Sequence, residues 1–263
     1  MSRSERGEDD RIAARLGIEA ERLGESTASF QQRPKTILIA GPKGALEPSP
    51  LVAALHGMGM RPAKFAEWLR TLFDLPVHWA FPRGPYPFEI HAPNRRGIGF
   101  AWYLYTGDQD AFIENLHRVG RHLDAALAAA GRALAVDPGK RVILGFSQGG
   151  YLAGHYALRR TPQLAGLAVI GGRIKVESLA KDLDGAARIP ILVLHGRGDT
   201  AVPSGAARAS ADRLLSLGFP VEFVEHGGGH EMSGEALATL REWLVRILAE
   251  PAPRTPQPPS PSA

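Results

Sequence analysis

The chain has 263 residues, a length typical of one domain or two. It contains no cysteine, which excludes disulfide bonds, thiolate nucleophiles and cysteine-ligated zinc or iron–sulfur centres. The net charge is only +4 and the basic residues form no run of five, so no nucleic-acid partner is expected. No apolar stretch reaches the ~18–20 residues that span a bilayer, so no membrane span is expected either.

The composition changes at both ends of the chain. Residues 1–34 are mostly polar, begin with charged side chains and contain no apolar secretory segment, which indicates a cytoplasmic protein. We predict a polar N-terminal extension over 1–34, partly helical or disordered. Six prolines fall within 251–261, which predicts a Pro-rich disordered tail over 251–263. The folded domain is therefore predicted to occupy 35–250.

Short apolar runs alternate with longer amphipathic segments through this middle part. The short runs predict buried strands at 36–40, 51–55, 77–81, 141–146, 167–170, 191–195 and 221–224. The longer segments predict helices at 110–130, 148–160, 204–217 and 234–249. This alternation predicts an α/β fold with a mostly parallel central sheet flanked by helices on both faces. The connection 41–50 is too short for a helical crossover, so we expect the first two strands to pair antiparallel.

The clearest predicted helix is 110–130. Asp108 or Asp110 can cap its start, and Gly131 is expected to end it. Its apolar residues share one face, which we expect to be buried: Phe112, Leu116, Val119, Leu123, Leu127 and Ala130.

Aromatic residues concentrate in 81–105, together with several prolines. We interpret this segment as a long loop without regular structure, folded over the carboxyl edge of the sheet. The side chains expected to line a substrate pocket are Phe81, Tyr86, Phe88, Phe100, Trp102 and Val202. In the alternative interpretation, the aromatic side chains fill the core beneath the loop.

A G-x-S-x-G motif follows the predicted strand 141–146. The motif is formed by Gly145, Ser147 and Gly149, and a predicted helix comes directly after it. A serine in such a strand-to-helix turn is raised above the sheet as a nucleophile, and the two glycines leave room for the strained backbone. The alternative is a glycine-rich turn in which the serine only caps a helix.

A serine nucleophile needs a base, and the base needs an acid to orient it. Asp199 and His230 each follow a predicted strand, in the chain order expected after such a serine. The alternatives are that Asp199 caps the next helix and that His230 has no role. His226 and His230 have the i, i+4 spacing of metal ligands, but the three glycines between them argue against a helix, and we expect no metal.

An acyl-transfer site also needs two donors for the developing oxyanion. The amide of Gln148, directly after the serine, is one candidate. The second candidate is the amide of Met58, in the glycine-flanked turn after the strand 51–55. His56 in the same turn is expected to brace it rather than to act as a second base.

Together these motifs resemble the phospholipase/carboxylesterase branch of the α/β-hydrolases, which includes the acyl-protein thioesterases. The resemblance covers about 50–248 and rests on L-H-G-M-G at 55–59, F-P-R-G-P at 81–85, G-F-S-Q-G-G at 145–150, L-H-G-R-G-D-T-A-V-P at 194–203 and G-H-E at 229–231. It implies that 35–250 is an α/β-hydrolase catalytic domain. It also implies Ser147 as nucleophile, Asp199 and His230 as its partners, Met58 and Gln148 as oxyanion donors, no cofactor and a possible homodimer.

The expected activity is hydrolysis of a carboxylic ester or thioester through an acyl-enzyme. The aromatic segment favours a small molecule with an apolar acyl or aryl group. Two alternatives stay open: an acyltransferase or lactone hydrolase with the same three residues, and a non-catalytic binding protein on a hydrolase scaffold.

Overall fold

A computed structural model describes residues 35–42, 48–92, 95–159 and 163–249. The extension predicted for 1–34 and the tail predicted for 251–263 lie outside these residues. The strands are β1 (Thr36–Ile39), β2 (Ser49–Leu55), β3 (His78–Pro82), β4 (Tyr86–Ala92), β5 (Arg95–Ala101), β6 (Val136–Phe146), β7 (Gly166–Ile170), β8 (Ile191–Gly196) and β9 (Val221–His226). The helices are α1 (Pro62–Trp68), α2 (Gln109–Ala133), α3 (Gln148–Arg159), α4 (Ser204–Ser216) and α5 (Gly234–Ala249).

Seven of the strands form one sheet in the order β1-β3-β2-β6-β7-β8-β9. All of its neighbouring strands run parallel except β1, which is antiparallel to β3. The seven strands predicted from apolar runs are confirmed, and with them the α/β fold. Because β6, β8 and β9 are parallel, the loops that follow them meet at one edge of the sheet.

The predicted pairing of the first two strands is wrong. β1 pairs with β3, through Thr36 opposite Pro82 and Ile39 opposite Trp79, and β3 in turn pairs with β2. A connection of ten residues reaches some 30 Å when extended, whereas skipping one strand needs only about 10 Å. The short connection therefore excluded a helical crossover but did not require adjacent strands.

The helices cover both faces of the sheet, as predicted. On one face, Leu123 of α2, Leu152 of α3 and Leu214 of α4 share a buried apolar cluster. On the other face, Phe65 of α1 and Leu240 of α5 belong to a second cluster. None of the helices in the described ranges is long and apolar enough to cross a membrane.

Helix α2 confirms the predicted cap and the predicted buried face. The Asp108 carboxylate accepts hydrogen bonds from the amides of Asp110 and Ala111, at 2.9 and 3.1 Å. All six of the predicted apolar positions are buried. The helix continues past Gly131 to Ala133, so the predicted end was wrong; glycine lowers helix stability by about 1 kcal/mol but does not by itself end a helix.

The segment predicted as an irregular loop contains a β-hairpin. β4 and β5 pair antiparallel from Tyr86 opposite Ala101 to Ala92 opposite Arg95. Pro87 is tolerated because β4 pairs with β5 alone among the described strands, which leaves its other edge unpaired. The hairpin lies over the carboxyl end of β2, as predicted, because the amide of Gly59 donates to the carbonyl of Phe100 at 2.9 Å.

Candidate active site

Ser147 occupies a strained turn between β6 and α3. Its φ of 52° makes it the one non-glycine residue with a positive φ in the part of the chain that the structure describes. A Cβ on Gly145 would lie 2.2 Å from the carbonyl oxygen of Gly149, and a Cβ on Gly149 would lie 2.2 Å from that of Leu55. Both glycines are therefore required for the backbone to pass so closely around the serine.

The His230 imidazole lies between Ser147 and Asp199. Its Nε2 is 2.9 Å from the Ser147 hydroxyl, and its Nδ1 is 2.7 Å from Oδ2 of Asp199. A carboxylate only accepts hydrogen bonds, so Nδ1 carries the proton and Nε2 is free to accept the proton of the serine. In the chain, His230 follows Asp199 by 31 positions and Ser147 by 83.

Asp199 is held by its own turn after β8. Its Oδ1 accepts hydrogen bonds from the amides of Ala201 and Val202, both at 2.9 Å. Burial raises the pKa of this carboxyl group, but the hydrogen bonds from His230, Val202 and Ala201 outweigh burial and leave the pKa below its usual value. The carboxylate is therefore charged at neutral pH and can stabilise a protonated His230.

Two further histidines support these loops, and no sequence pattern predicts a supporting role for either of them. His195, fully buried, lies 2.8 Å from the carbonyl of Val202 and 3.4 Å from Oδ2 of Asp199. His226, also buried, accepts through Nδ1 from the amide of Gly228 at 3.2 Å, with the hydroxyl of Ser233 at 3.1 Å. His226 therefore holds the loop that precedes His230.

The two residues proposed as oxyanion donors lie on neighbouring loops. Met58 is in the turn after β2, and Gln148 begins α3 directly after Ser147. The approach of Gly149 to the carbonyls of Leu55 and His56 brings the two loops together.

His56 braces the turn that carries Met58, in agreement with the sequence analysis. Its Nδ1 donates to the carbonyl of Gly57 at 2.8 Å, and its Nε2 accepts from the amide of Gly84 at 3.1 Å. Burial lowers the pKa of His56 to about 4, so the ring is neutral near pH 7. A neutral ring with both nitrogens occupied is a structural support.

Two of the predicted pocket residues lie in the core instead. Phe81 is fully buried between Phe65, Phe73 and Trp79 under the side of the sheet that α1 covers. Trp102 is fully buried beneath the turn that contains His56. Whether a side chain is buried depends on which side of the strand or turn it occupies, and not on how close it lies to the site along the chain.

The other four pocket candidates are half-buried. Phe88 lies 3.5 Å from where a Cβ of Gly59 would stand, and Phe100 packs beneath the Arg83 guanidinium at 4.8 Å. The hydroxyl of Tyr86 lies 3.4 Å from Asn115, and the amide of Val202 donates to Asp199. These positions stay candidates for the pocket wall.

Phe146 and Trp68 form an apolar wall beside His230 that the sequence analysis missed. The Phe146 ring lies 4.9 Å from the His230 ring and 5.3 Å from that of Trp68. Phe146 lies inside the G-x-S-x-G motif, so its closeness to Ser147 could be predicted from the sequence. No sequence pattern indicates that α1 would bring Trp68 to the same place.

Comparison with known proteins places this fold among the esterases with an α/β-hydrolase fold. The crystal structure of esterase PE8 superposes with a TM-score of 0.70 at 24% identity, covering 82% of this chain and all of that one. The crystal structure of Arabidopsis thaliana SOBER1 gives a TM-score of 0.61 at 26% identity, covering 76% of this chain and 99% of that one.

The sequence relatives narrow this class to a family. The phospholipase/carboxylesterase family model matches residues 42–248. A probable carboxylesterase of Oryza sativa is 29% identical over 239 residues, covering 80% of this chain and 85% of the relative. A SOBER1-like probable carboxylesterase of Arabidopsis thaliana is 30% identical, covering 72% and 76%. Acyl-protein thioesterase 1 of Gibberella zeae is 26% identical, covering 75% and 90%. The chain belongs to the phospholipase/carboxylesterase family and is a hydrolase.

Proposed function

We propose that this protein hydrolyses carboxylic esters or thioesters through a covalent acyl-enzyme on Ser147. The observation that carries the proposal is the His230 imidazole, which lies 2.9 Å from the Ser147 hydroxyl and 2.7 Å from the Asp199 carboxylate. This is the geometry that a serine needs to become a nucleophile at neutral pH. The names of the relatives, which include carboxylesterases and an acyl-protein thioesterase, support the same reaction class.

In the first step, Ser147 Oγ attacks the carbonyl carbon while His230 Nε2 takes its proton. Asp199 keeps the other ring nitrogen protonated and stabilises the charged imidazolium. The carbonyl oxygen becomes an oxyanion, which accepts hydrogen bonds from the amides of Met58 and Gln148. The tetrahedral intermediate then collapses, the bond to the alcohol or thiol breaks, and His230 donates its proton to the leaving group.

In the second step, water attacks the acyl-enzyme. His230 takes a proton from the water, the oxyanion forms again, and the bond to Ser147 breaks as the serine recovers its proton. The products are a carboxylic acid and free enzyme. No step needs a metal or a cofactor.

The substrate side of the proposal rests on the apolar surface around Ser147. Phe88 and Phe100 of the hairpin and Trp68 beside Phe146 favour an apolar acyl or aryl group. Met58, whose amide is one of the proposed oxyanion donors, adds an apolar residue that is 64% exposed.

Initial rates on p-nitrophenyl esters from acetyl to palmitoyl test the proposal. Ser147→Ala is expected to lower the rate by about 10⁴-fold or more while the fold survives. Ser216→Ala, an exposed serine on α4, is the matched control and is expected to keep the full rate. A folded Ser147→Ala variant with normal activity would contradict the assignment.

Two added measurements separate the remaining alternatives. An organophosphonate is expected to label Ser147 stoichiometrically, and a folded chain that never labels is instead a binding protein on a hydrolase scaffold. Product that partitions to an added alcohol in preference to water would indicate an acyltransferase.

A further inference from the structure

A buried path of hydrogen bonds connects the two loops that carry Met58 and Gln148. The path runs through residues 100–103, which end β5 and follow it. Trp102 is at its centre and is fully buried, and its chain neighbours Ala101 and Tyr103 are buried as well.

Trp102 is bonded to the turn that carries Met58. Its indole Nε1 donates to the carbonyl oxygen of His56 at 2.7 Å, and the indole lies 4.9 Å from the His56 ring. The same turn is tied a second time, because the amide of Gly59 donates to the carbonyl of Phe100 at 2.9 Å. Residues 56 and 59, on either side of Met58, are therefore both anchored to the end of β5.

Trp102 is also bonded to the first residue of α3. Its backbone amide donates to Gln148 Oε1 at 2.9 Å, and Gln148 Nε2 donates to the carbonyl of Tyr103 at 2.9 Å. The Gln148 side chain thus makes a two-bond clamp on the backbone that follows the hairpin, and only 8% of the residue is exposed.

An oxyanion hole works only when both donors stand about 2.7–3.1 Å from the oxygen in the transition state. Its efficiency therefore depends on the distance between the two loops. The contact of Gly149 with the carbonyls of Leu55 and His56 sets the minimum of that distance, since a Cβ there would be 2.2 Å from the first of them. A tie that holds the loops together is needed to set the maximum.

We propose that Trp102 is a positioning residue that fixes the separation of the two oxyanion donors, Met58 and Gln148. Its side chain holds one loop and its main chain holds the other. The proposal rests on the proposed function for its effect on catalysis, but the placement of the two amides can be measured without any substrate.

Trp102→Phe removes the indole donor and keeps an aromatic ring at the position. We expect kcat to fall by about 10–100-fold, less than the 10²–10³-fold for complete loss of a donor, with KM changed by less than about threefold. Trp243→Phe is the matched control, because Trp243 is 2% exposed and its Nε1 has no hydrogen-bond partner within the described residues. The control is expected to keep kcat.

Three outcomes of the kinetics are informative. A selective loss in kcat supports the proposal. A rise in KM with kcat unchanged would mean that Trp102 lines the substrate pocket, and the proposal would be overturned. Equal kcat values for both tryptophan variants would reduce Trp102 to core packing and overturn it as well.

A second measurement tests the proposal when kinetics cannot, either because Trp102→Phe folds poorly or because the wild-type protein is inactive. The amide resonances of Met58 and Gln148 are compared by NMR in Ser147→Ala protein with and without Gln148→Met, which removes both clamp bonds. We expect the Met58 resonance to shift with Gln148→Met, the Met58 and Gln148 resonances both to shift with Trp102→Phe, and neither to shift with Trp243→Phe. Unchanged Met58 resonances in both test variants would refute the positioning role. An inactive wild type with shifting resonances would refute only the proposed function.

Discussion

The two sides of the Ser147 site are built by different means. Behind the serine, backbone lies directly on backbone: a Cβ on Gly196 would lie 2.2 Å from the carbonyl of Gly229, and one on Gly149 the same distance from that of Leu55. In front of it, the hairpin also meets backbone closely, since a Cβ on Gly99 would lie 2.5 Å from the carbonyl of Gly59, but side-chain hydrogen bonds from Trp102 and Gln148 are added to these contacts. The rear side is therefore held by backbone contacts, whereas the front side also depends on side chains that can be changed one at a time.

On the rear side, the largest effect is expected when the charge behind His230 is removed. Asp199→Asn is expected to lower kcat by about 10³–10⁴-fold, because an amide at this position can donate to Nδ1 and favour the wrong tautomer of His230. Asp184→Asn, an exposed position with the same change of charge, is the control and should leave kcat unchanged. Ester hydrolysis rates of the two variants decide the matter, and a loss below tenfold for Asp199→Asn contradicts the assigned role.

The rear packing is tested with alanine. Gly149→Ala is expected to cost about 3 kcal/mol or more of unfolding free energy, since its Cβ meets two backbone carbonyls that cannot move independently. Gly205→Ala in α4 has no atom within 4 Å of the new Cβ and is expected to gain up to about 1 kcal/mol. Urea unfolding of both variants measures the difference, and equal stabilities would show that the backbone contact has slack.

A pH-dependent loss of stability is expected from buried histidines. Burial lowers the pKa of His155 in α3 to about 4, with His117 and Arg159 adding to the effect, whereas the unfolded chain titrates near 6.5. Between these values the unfolded state binds more protons, so stability falls as the pH decreases from 6.5 to 4, by at most about 1.4 kcal/mol per pH unit for this group.

His155→Leu isolates this contribution. Both ring nitrogens of His155 are buried without a hydrogen-bond partner among the described residues, so leucine is expected to be tolerated. Urea unfolding at pH 7, 6 and 5 should give a shallower pH dependence for the variant, with the remainder arising from groups such as His56. Parallel curves for variant and wild type would exclude His155 as a source.

The positive φ of Ser147 is expected to lower the stability of the protein. Glycine adopts a positive φ without penalty, so Ser147→Gly is expected to be more stable than Ser147→Ala by about 1 kcal/mol, although both are inactive. Thermal unfolding of the pair measures the strain with the hydroxyl absent from both. Identical stabilities would mean that the backbone at position 147 is not strained.

The smallest effect is expected on the front side. Ile98 on β5 is 49% exposed, and its link to Arg61 uses the Ile98 carbonyl, which any side chain preserves. Ile98→Ala should therefore change the unfolding free energy by less than about 0.5 kcal/mol. If the hairpin contacts the acyl group, KM for long-chain esters rises a few-fold while acetyl esters are unaffected, and a uniform KM would place the acyl group elsewhere.

The sheet could be predicted from the sequence, and so could the proximity of Ser147, Asp199 and His230. Strands such as 141–146 are buried on both faces and therefore appear as continuous apolar runs. Ser147 and His230 stand in glycine-rich turns at strand ends, where the local pattern is distinctive. The roles proposed for them rest on the residue types and on their order along the chain, both of which can be read from the sequence.

The errors have a common cause, which is that local patterns do not encode which partner a segment meets. Nothing in 41–50 indicates that β3 would lie between β1 and β2. The prolines around the hairpin suggested an irregular loop, although an isolated ribbon tolerates them. Phe81 and Trp102 border the site along the chain, which predicts pocket residues, but both are fully buried because burial depends on the side of the strand or turn that a residue occupies.

The hairpin also has a consequence for how this enzyme could diversify. β4 and β5 pair with each other and join no strand of the seven-stranded sheet. Such a unit behaves as an exchangeable module: one of different length or sequence could be grafted between β3 and α2 while the sheet folds as before. The graft would need to retain Trp102, the backbone bonds at the base of the hairpin and a glycine at position 99, where a Cβ would lie 2.5 Å from the carbonyl of Gly59, so we expect new specificities to arise on an unchanged sheet.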